Sequence, residues 1–132
     1  MTIEYINPDG MFKSPVFSQG IIVPPNARML YIGGQNGVDE NNQVIHSTDV
    51  GKQSEQAIAN MVKVLQAARA TLEDLVKVTV ILQQDADLQA AYRPWMTTWA
   101  NRPNPPIVTA LRVPGLARPD YLIEIEAQAV LR

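Results

Sequence analysis

The sequence contains no cysteine and only one histidine, His46. Without cysteine the chain can form neither a disulfide nor a thiolate nucleophile, which fits a reducing compartment. A single histidine does not supply the ligand set of a zinc site, so we expect no metal. A Ser-His-Asp triad would need His46, but no Gly-x-Ser-x-Gly elbow accompanies it. The remaining candidates for chemistry are carboxylates, arginines and backbone amides near glycines.

The sequence also lacks a concentration of charge and a long apolar run. The formal net charge is −2, and the lysines and arginines are scattered, so we expect no nucleic-acid partner. No apolar stretch approaches the roughly 20 residues that span a bilayer. The first residues do not show a basic segment followed by an apolar one, so we expect no signal peptide and a cytoplasmic protein without a membrane partner.

The composition is typical of a globular protein, with 46% hydrophobic and 18% charged residues in a chain of 132. A chain of this length is expected to form one domain, here residues 1–132. It is long enough to bury about two-thirds of the surface that the unfolded chain exposes.

Two strands and a glycine-rich motif are predicted in the first third of the chain. A strand at about Val16–Val23 and another at Arg28–Ile32 are separated by the turn Pro24-Pro25-Asn26, which predicts a hairpin. The glycines of the segment Gly33–Gly37 favour a strand end or a bulge. The segment is not a phosphate-binding loop, because it lacks the Walker spacing and its lysine.

Two helices and a strand follow. A helix is predicted from an N-cap at Thr48 or Asp49 to about Ala70, with an apolar stripe at three- and four-residue spacing. Leu75–Gln83 is predicted as a strand. The next segment, Asp85–Trp99, is helical and is predicted either to kink near Arg93 or to restart at Pro94. Its two tryptophans are expected in the core or an interface.

The predicted order is β-β-α-β-α-β-β. Helices between strand pairs favour an α+β fold with both helices on one face of a mixed sheet. The other face is then either solvated or covered. Its apolar residues suggest that another subunit covers it.

The last strand carries two carboxylates within an apolar run. Because side chains alternate along a strand, Glu124, Glu126 and Gln128 share one face. Glu124 is the best acid-base candidate, since an apolar surrounding suits a carboxylate to proton transfer. The alternative interpretation is a solvated or salt-bridged glutamate.

Five short motifs in this order resemble the RidA/YjgF family, also called L-PSP endoribonuclease-like proteins or translation inhibitors. The likeness covers about Val16–Leu131. The motifs are Phe17-Ser-Gln-Gly20, Ile32-Gly-Gly-Gln35, Gln56-Ala-x-x-Asn60, Lys77-Val-Thr-Val80 and Ile123-Glu-Ile-Glu-Ala127.

This resemblance implies a chorismate-mutase-like α+β fold and a homotrimer with a small-molecule cleft at each subunit interface. It implies hydrolysis of imines and enamines derived from amino acids, without a metal or organic cofactor. The family's motif glutamate, which positions the attacking water, corresponds to Glu124. The backbone of Gly33, Gly34 and Gln35 corresponds to part of the cleft.

The sequence departs from the family pattern at three cleft positions. A first-strand tyrosine is replaced by Phe17, and a helix asparagine by Tyr92. The arginine that binds the substrate carboxylate corresponds to Pro105, which has neither a charge nor a backbone donor. Ile107 completes the predicted ligand-binding set. Arg102 or Arg112 could substitute for the missing arginine.

These departures lead to three functional hypotheses. The first is a RidA-family trimer of altered specificity that hydrolyses or deaminates a neutral or cationic metabolite through Glu124. The second is a standard 2-imino acid deaminase with a relocated arginine. The third is a non-catalytic binding module. A ribonuclease is disfavoured, because the chain lacks a basic groove and paired histidines.

Overall fold

The computed structural model describes residues 2–132, which form a four-stranded sheet, a two-stranded sheet and two helices. The elements are β1 (Glu4–Ile6), β2 (Gly20–Ile22), β3 (Arg28–Gln35), α1 (Val50–Ala67), a 3-10 turn (Leu72–Asp74), β4 (Leu75–Gln83), α2 (Leu88–Trp99), β5 (Ile107–Val113) and β6 (Ile123–Leu131). The four-stranded sheet has the order β3-β6-β4-β5, with β4 and β5 parallel and the other pairs antiparallel.

Both helices pack on one face of the mixed sheet, as predicted. The core lies between the helices and the sheet, and it includes Met61 of α1, which is fully buried. The rings of Trp95 and Trp99 stack with their centroids 5.6 Å apart, and Trp99 is fully buried. The one-turn spacing of these tryptophans places both on the core side of α2. Of the two expected locations, the core or an interface, the structure shows the core.

The first helix begins where its capping chemistry predicts. The side chain of Asp49 accepts a hydrogen bond from the amide of Lys52 at 3.0 Å, which satisfies a donor that the helix leaves free. The helix ends at Ala67 rather than near Ala70, because Arg69 adopts a positive φ of 60° that turns the chain.

The predicted hairpin between the first two strands is wrong. The strand at Gly20–Ile22 pairs with Glu4–Ile6, a strand that the sequence did not indicate, and β3 pairs with β6. Pro24 and Pro25 supply no amide donors, and Asn26 has a φ of 62°. The connection therefore leaves one sheet and enters the other instead of continuing a ladder.

The second helix starts later than predicted and does not restart at Pro94. It begins at Leu88 because the Asp87 side chain caps it, accepting from the amides of Gln89 and Ala90. Pro94 lies inside the continuous helix and removes the amide that would otherwise bond the Ala90 carbonyl.

Two irregularities modify the sheet. The register of β3 against β6 shifts between Ile32 and Gln35, so the glycines mark a bulge, one of the two structures predicted for them. A second shift lies between Leu75 and Lys77 of β4. Val76 packs with Ile3 and Val130 against the small sheet, apart from the main core.

The face of the four-stranded sheet that is turned away from the helices, here called the open face, is covered by no helix of residues 2–132. It carries Tyr31, which is 71% exposed, and Leu111, which is 47% exposed. Its covering by another subunit remains a prediction. In the described part of the chain, no helix has the length and apolar character to cross a bilayer.

Candidate active site around Glu124

Glu124 lies half-buried on the open face, between strands β3 and β4. Its neighbours Ile123 and Ile125 point into the core, so alternation turns the Glu124 side chain to the other face. Across the ladder Glu124 pairs with Ile81, which in turn pairs with Leu111. The carboxylate therefore has apolar neighbours on the β4 side and the bulged β3 on the other.

Gly34 provides the space that the carboxylate occupies. A Cβ added at Gly34 would lie 2.5 Å from Oε2 of Glu124 and 2.7 Å from its Cδ, far inside van der Waals contact. At Gly33, by contrast, an added Cβ would meet no atom within 4 Å. The second glycine of the motif is thus required for the position of Glu124, and the first is not.

Asn36 fixes the orientation of the carboxylate. Its side-chain amide donates to Oε1 of Glu124 at 3.2 Å and to the carbonyl of Ile123 at 3.0 Å. The amide of Asn60 in α1 donates to the Asn36 carbonyl at 3.3 Å, and Gln56 donates to Asn60. This chain of hydrogen bonds connects Glu124 to the first helix.

Sequence reasoning missed Asn36, although it directly follows the glycine motif and is buried. Its position, as a polar residue directly after the strand that carries the predicted glycine site, is the feature of the sequence that could have indicated its role. Gln35, which was predicted to bind ligand, instead directs its side-chain amide to the carbonyl of Gly33 at 3.1 Å.

The two arginines considered as replacements for the missing cation are engaged elsewhere. The guanidinium of Arg102 bonds the Glu73 carboxylate and the carbonyl of Trp99. Arg112 donates to the carbonyls of Gln84 and Ala86. Within residues 2–132, no ion pair involves Glu124 or Glu126.

Phe17 and Tyr92 lie on the helix side of the sheet, where they line a cavity of about 570 Å³. Val108 and Ala110 of β5 form its floor, and Arg93 of α2 lies at its edge. Tyr92 packs against the core, and this burial raises the pKa of its hydroxyl. The hydroxyl is therefore a neutral hydrogen-bond donor and acceptor near pH 7.

Pro105 belongs to the same region as Phe17. The hydroxyl of Ser18 donates to the Pro105 carbonyl at 2.6 Å, and the amide of Ser18 to the Pro106 carbonyl at 2.9 Å. Ile107, which pairs with Lys77, lies on the open face. Because Glu124 pairs with Ile81, four residues further along β4, Ile107 and Glu124 are separated by about 13 Å along the strands.

The predicted site residues therefore fall into two groups within one chain. Glu124 of β6 lies beside Gly33, Gly34 and Gln35 at the bulge of β3, on the face that also carries Ile107. Phe17 and Tyr92 line the cavity beside β5, and Pro105 lies next to this region through its hydrogen bond with Ser18. The sheet separates the carboxylate from that cavity. Among residues 2–132, no group of three or more histidines and carboxylates is placed to hold a metal ion.

Comparison with known proteins identifies the family. The model of the family described as Endoribonuclease L-PSP matches residues 13–131. The chain belongs to this RidA/YjgF family. A human 2-iminobutanoate/2-iminopropanoate deaminase is 32% identical over 114 residues, which cover 86% of this chain and 79% of the human protein. A 3-aminoacrylate deaminase RutC of Acinetobacter baylyi is 27% identical over 129 residues, or 98% of each chain.

Solved structures of family members have the same fold. The Rid-family protein YyfB of Yersinia pestis, whose function is described as unknown, superposes with a TM-score of 0.86 at 30% identity, covering 99% of this chain and 100% of that one. The YjgF protein of E. coli superposes with a TM-score of 0.71 at 27% identity, covering 95% and 91%. The predicted YjgF-like α+β fold is confirmed.

Proposed function

We propose that this protein is a hydrolytic deaminase that acts on imine or enamine groups of small metabolites. The observation that carries the proposal is the placement of Glu124, held by Asn36 and accommodated by Gly34 on the open face. The names of the human and Acinetobacter relatives, both deaminases of small nitrogen compounds, support the same reaction class.

The reaction needs one group that accepts and returns protons. Water adds to the imine carbon while the Glu124 carboxylate accepts a proton from that water and passes it to the nitrogen, which gives a carbinolamine. Glu124 then transfers the proton of the new hydroxyl group to the nitrogen as the carbon–nitrogen bond breaks, so that ammonia leaves and a carbonyl compound remains. The bond from Asn36 to Oε1 keeps the carboxylate oriented for both transfers. These steps use no cofactor.

The clefts form where copies of the chain meet in a homotrimer. The supporting observation is the exposed apolar surface on the open face, which includes Tyr31 and Leu111 beside the row that carries Glu124. A second copy packed there supplies Phe17, Tyr92 and Pro105 to the cleft, so each site is complete only in the assembly. We propose a cytoplasmic location for the assembly.

The part of the substrate that lies beside Glu124 is neutral or cationic. Position 105 offers no guanidinium, and Arg102 and Arg112 bond other groups. An anionic substrate would approach the Glu124 carboxylate without a compensating charge from these residues, which costs free energy in a partly desolvated site. Neutral imines and protonated iminium ions avoid this cost.

The test compares Glu124→Gln with the wild type on imines that an amine oxidase generates from ethylamine and benzylamine. Ammonia release is measured against the rate of hydrolysis in solution. We expect the wild type to accelerate release and the variant to lose at least about 100-fold. Acceleration that is unchanged in Glu124→Gln would contradict the proposal. If the wild type accelerates nothing and still binds metabolites, the protein is a binding module.

A second candidate, deamination of 2-imino acids with a relocated arginine, is favoured by Arg93. This residue is exposed at the edge of the Phe17–Tyr92 cavity, and its guanidinium forms no hydrogen bond or ion pair within residues 2–132. Arginine pairs with carboxylates in bidentate geometry. An imine generated by an amino-acid oxidase from leucine provides the test, and Arg93→Ala should abolish its turnover under this second candidate alone.

A further inference from the structure

A groove runs between the two helices, on the side of the pair that faces away from the sheet. The residues of α1 and α2 that face the sheet are buried, whereas those that line the groove are exposed or partly exposed. The groove encloses about 380 Å³, within the range of small-molecule sites. Glu124 lies on the open face, so the sheet and the helices separate it from this groove.

Small residues bring the two helices close together beneath the groove. The Ser54 hydroxyl donates to the Ala91 carbonyl at 2.7 Å. A Cβ added at Gly51 would lie 3.3 Å from the carbonyl oxygen of Ala90. In a regular helix the Ala90 carbonyl accepts a hydrogen bond from the amide four residues later, but Pro94 has no amide hydrogen. The floor of the groove therefore presents a backbone acceptor that lacks its regular helical donor.

Charged side chains of both signs line the rim of the groove. Lys52 and Glu55 extend from α1 with 3.6 Å between Nζ and Oε2, and each side chain is more than half exposed. An ion pair this exposed contributes little to stability, so a ligand can engage either partner at small cost. Arg93 extends from α2 and forms no ion pair within residues 2–132. The carboxylate of Asp49 is already engaged as the cap of α1.

These groups match a molecule that carries both a carboxylate and an ammonium group. The side chains that can donate to a carboxylate are those of Lys52, Arg93, Thr97 and Thr98. The Glu55 carboxylate and the Ala90 carbonyl can accept from an ammonium group. A simple anion would meet the charge of Glu55 without a compensating cation of its own, and a simple cation would meet those of the lysine and the arginine.

We propose that the groove between α1 and α2 binds a small zwitterion with one carboxylate and one ammonium group, as in a free amino acid. This site is separate from that of Glu124, and the inference does not rest on the proposed deaminase function. Arg93 lines both the groove and the Phe17–Tyr92 cavity, whereas Lys52 and Thr97 line only the groove. The test therefore uses Lys52 and Thr97.

Three probes of similar size separate the charges. L-alanine carries both groups, propanoate only the carboxylate, and ethylammonium only the cation. Titration of the full chain, followed by the amide NMR signals of α1 and α2, measures the binding. L-alanine should bind the wild type at least about 10-fold more tightly than either of the other probes, because it alone satisfies both sets of partners. Absence of L-alanine binding, or equal binding of the three probes, overturns the proposal.

Two variants remove the groove without touching the core. Lys52→Ala should weaken L-alanine binding at least about 10-fold, whereas Lys63→Ala should not, since Lys63 is an exposed lysine of the same helix that does not line the groove. Thr97→Trp should abolish the binding, because an indole on this exposed position fills the groove. L-alanine binding that persists at full strength in either variant overturns the site.

Glu55→Gln tests the ammonium half of the site. This variant should bind L-alanine less tightly and should bring the preference over propanoate close to unity, because the carboxylate that selects the ammonium group is gone. A preference that stayed at the wild-type level would overturn the zwitterion class. Glu124→Gln should leave all three affinities unchanged. A lower L-alanine affinity in that variant would place the ligand on the open face and overturn the separate site.

Discussion

The side-chain amide of Asn36 donates to Oε1 of Glu124 at 3.2 Å across 88 positions of sequence. The same amide donates to the carbonyl of Ile123, so one buried side chain holds both the strand and its carboxylate. Because Asn36 acts on Glu124 and not on the reacting atoms, it is a positioning residue in the proposed reaction.

Asn36→Ala should reduce turnover more than binding. Without the amide, Glu124 can rotate away from the productive geometry, so we expect kcat to fall about 10-fold or more while KM changes little. Steady-state kinetics on the best amine-derived imine measure both constants. Asn101→Ala, an exposed change, is the control. A pure rise in KM would show that Asn36 contributes to binding instead.

Gly34→Ala should inactivate the protein, whereas Gly33→Ala should not. An added methyl group at Gly34 meets the Glu124 carboxylate at 2.5 Å, so the carboxylate must move, while Gly33 has free space. The two variants differ by one position and carry the same change, so each controls for the other. Equal activity of the two would contradict the assigned position of Glu124. Thermal unfolding should show that both remain folded.

Gln53→Ala should destabilise the fold strongly. This side chain is fully buried in α1; its amide donates to the carbonyls of His46 and Asp120, and its oxygen accepts from the Leu122 amide. Leaving these groups unpaired should lower the free energy of unfolding by about 2–3 kcal/mol, as measured with urea. Gln66→Ala, an exposed change in the same helix, should cost nothing measurable.

Glu73 should contribute to stability only above acidic pH. The backbone amide of Glu73, the hydroxyl of Thr71 and the charge of Arg102 lower the pKa of its carboxyl. A carboxyl whose pKa is lower in the folded state stabilises the protein above its unfolded pKa. That contribution is lost as the pH falls through the folded pKa.

Glu73→Gln should therefore destabilise the protein at pH 7 by less than about 1 kcal/mol, because the group is partly exposed. The difference from the wild type should shrink below pH 4.5, the ordinary value for glutamate, and vanish in stronger acid. Urea unfolding at several pH values measures it. If the variant were destabilised more strongly as the pH fell, the carboxyl of Glu73 would not have a lowered pKa in the folded protein.

Local patterns predicted the helices and the central strand well. The alternation of Leu75–Gln83 predicted its strand with the bounds that the structure shows, and the apolar stripe predicted for α1 faces the core, where Met61 is fully buried. These features depend on periodicity, which contacts within a few residues determine. Strand pairing depends on distant contacts, so the hairpin prediction failed where Gly20–Ile22 met β1 instead of β3.

The sequence by itself determined that Glu124 lies opposite the core residues of its strand, because side-chain alternation is a local property of the backbone. It also determined that position 105 carries no charge. Only the tertiary structure decided that Gly34 and Asn36 enclose the carboxylate, since β3 and β6 come together across most of the chain. The same long-range packing placed Phe17 and Tyr92 on the other side of the sheet, around a cavity that no local pattern indicates.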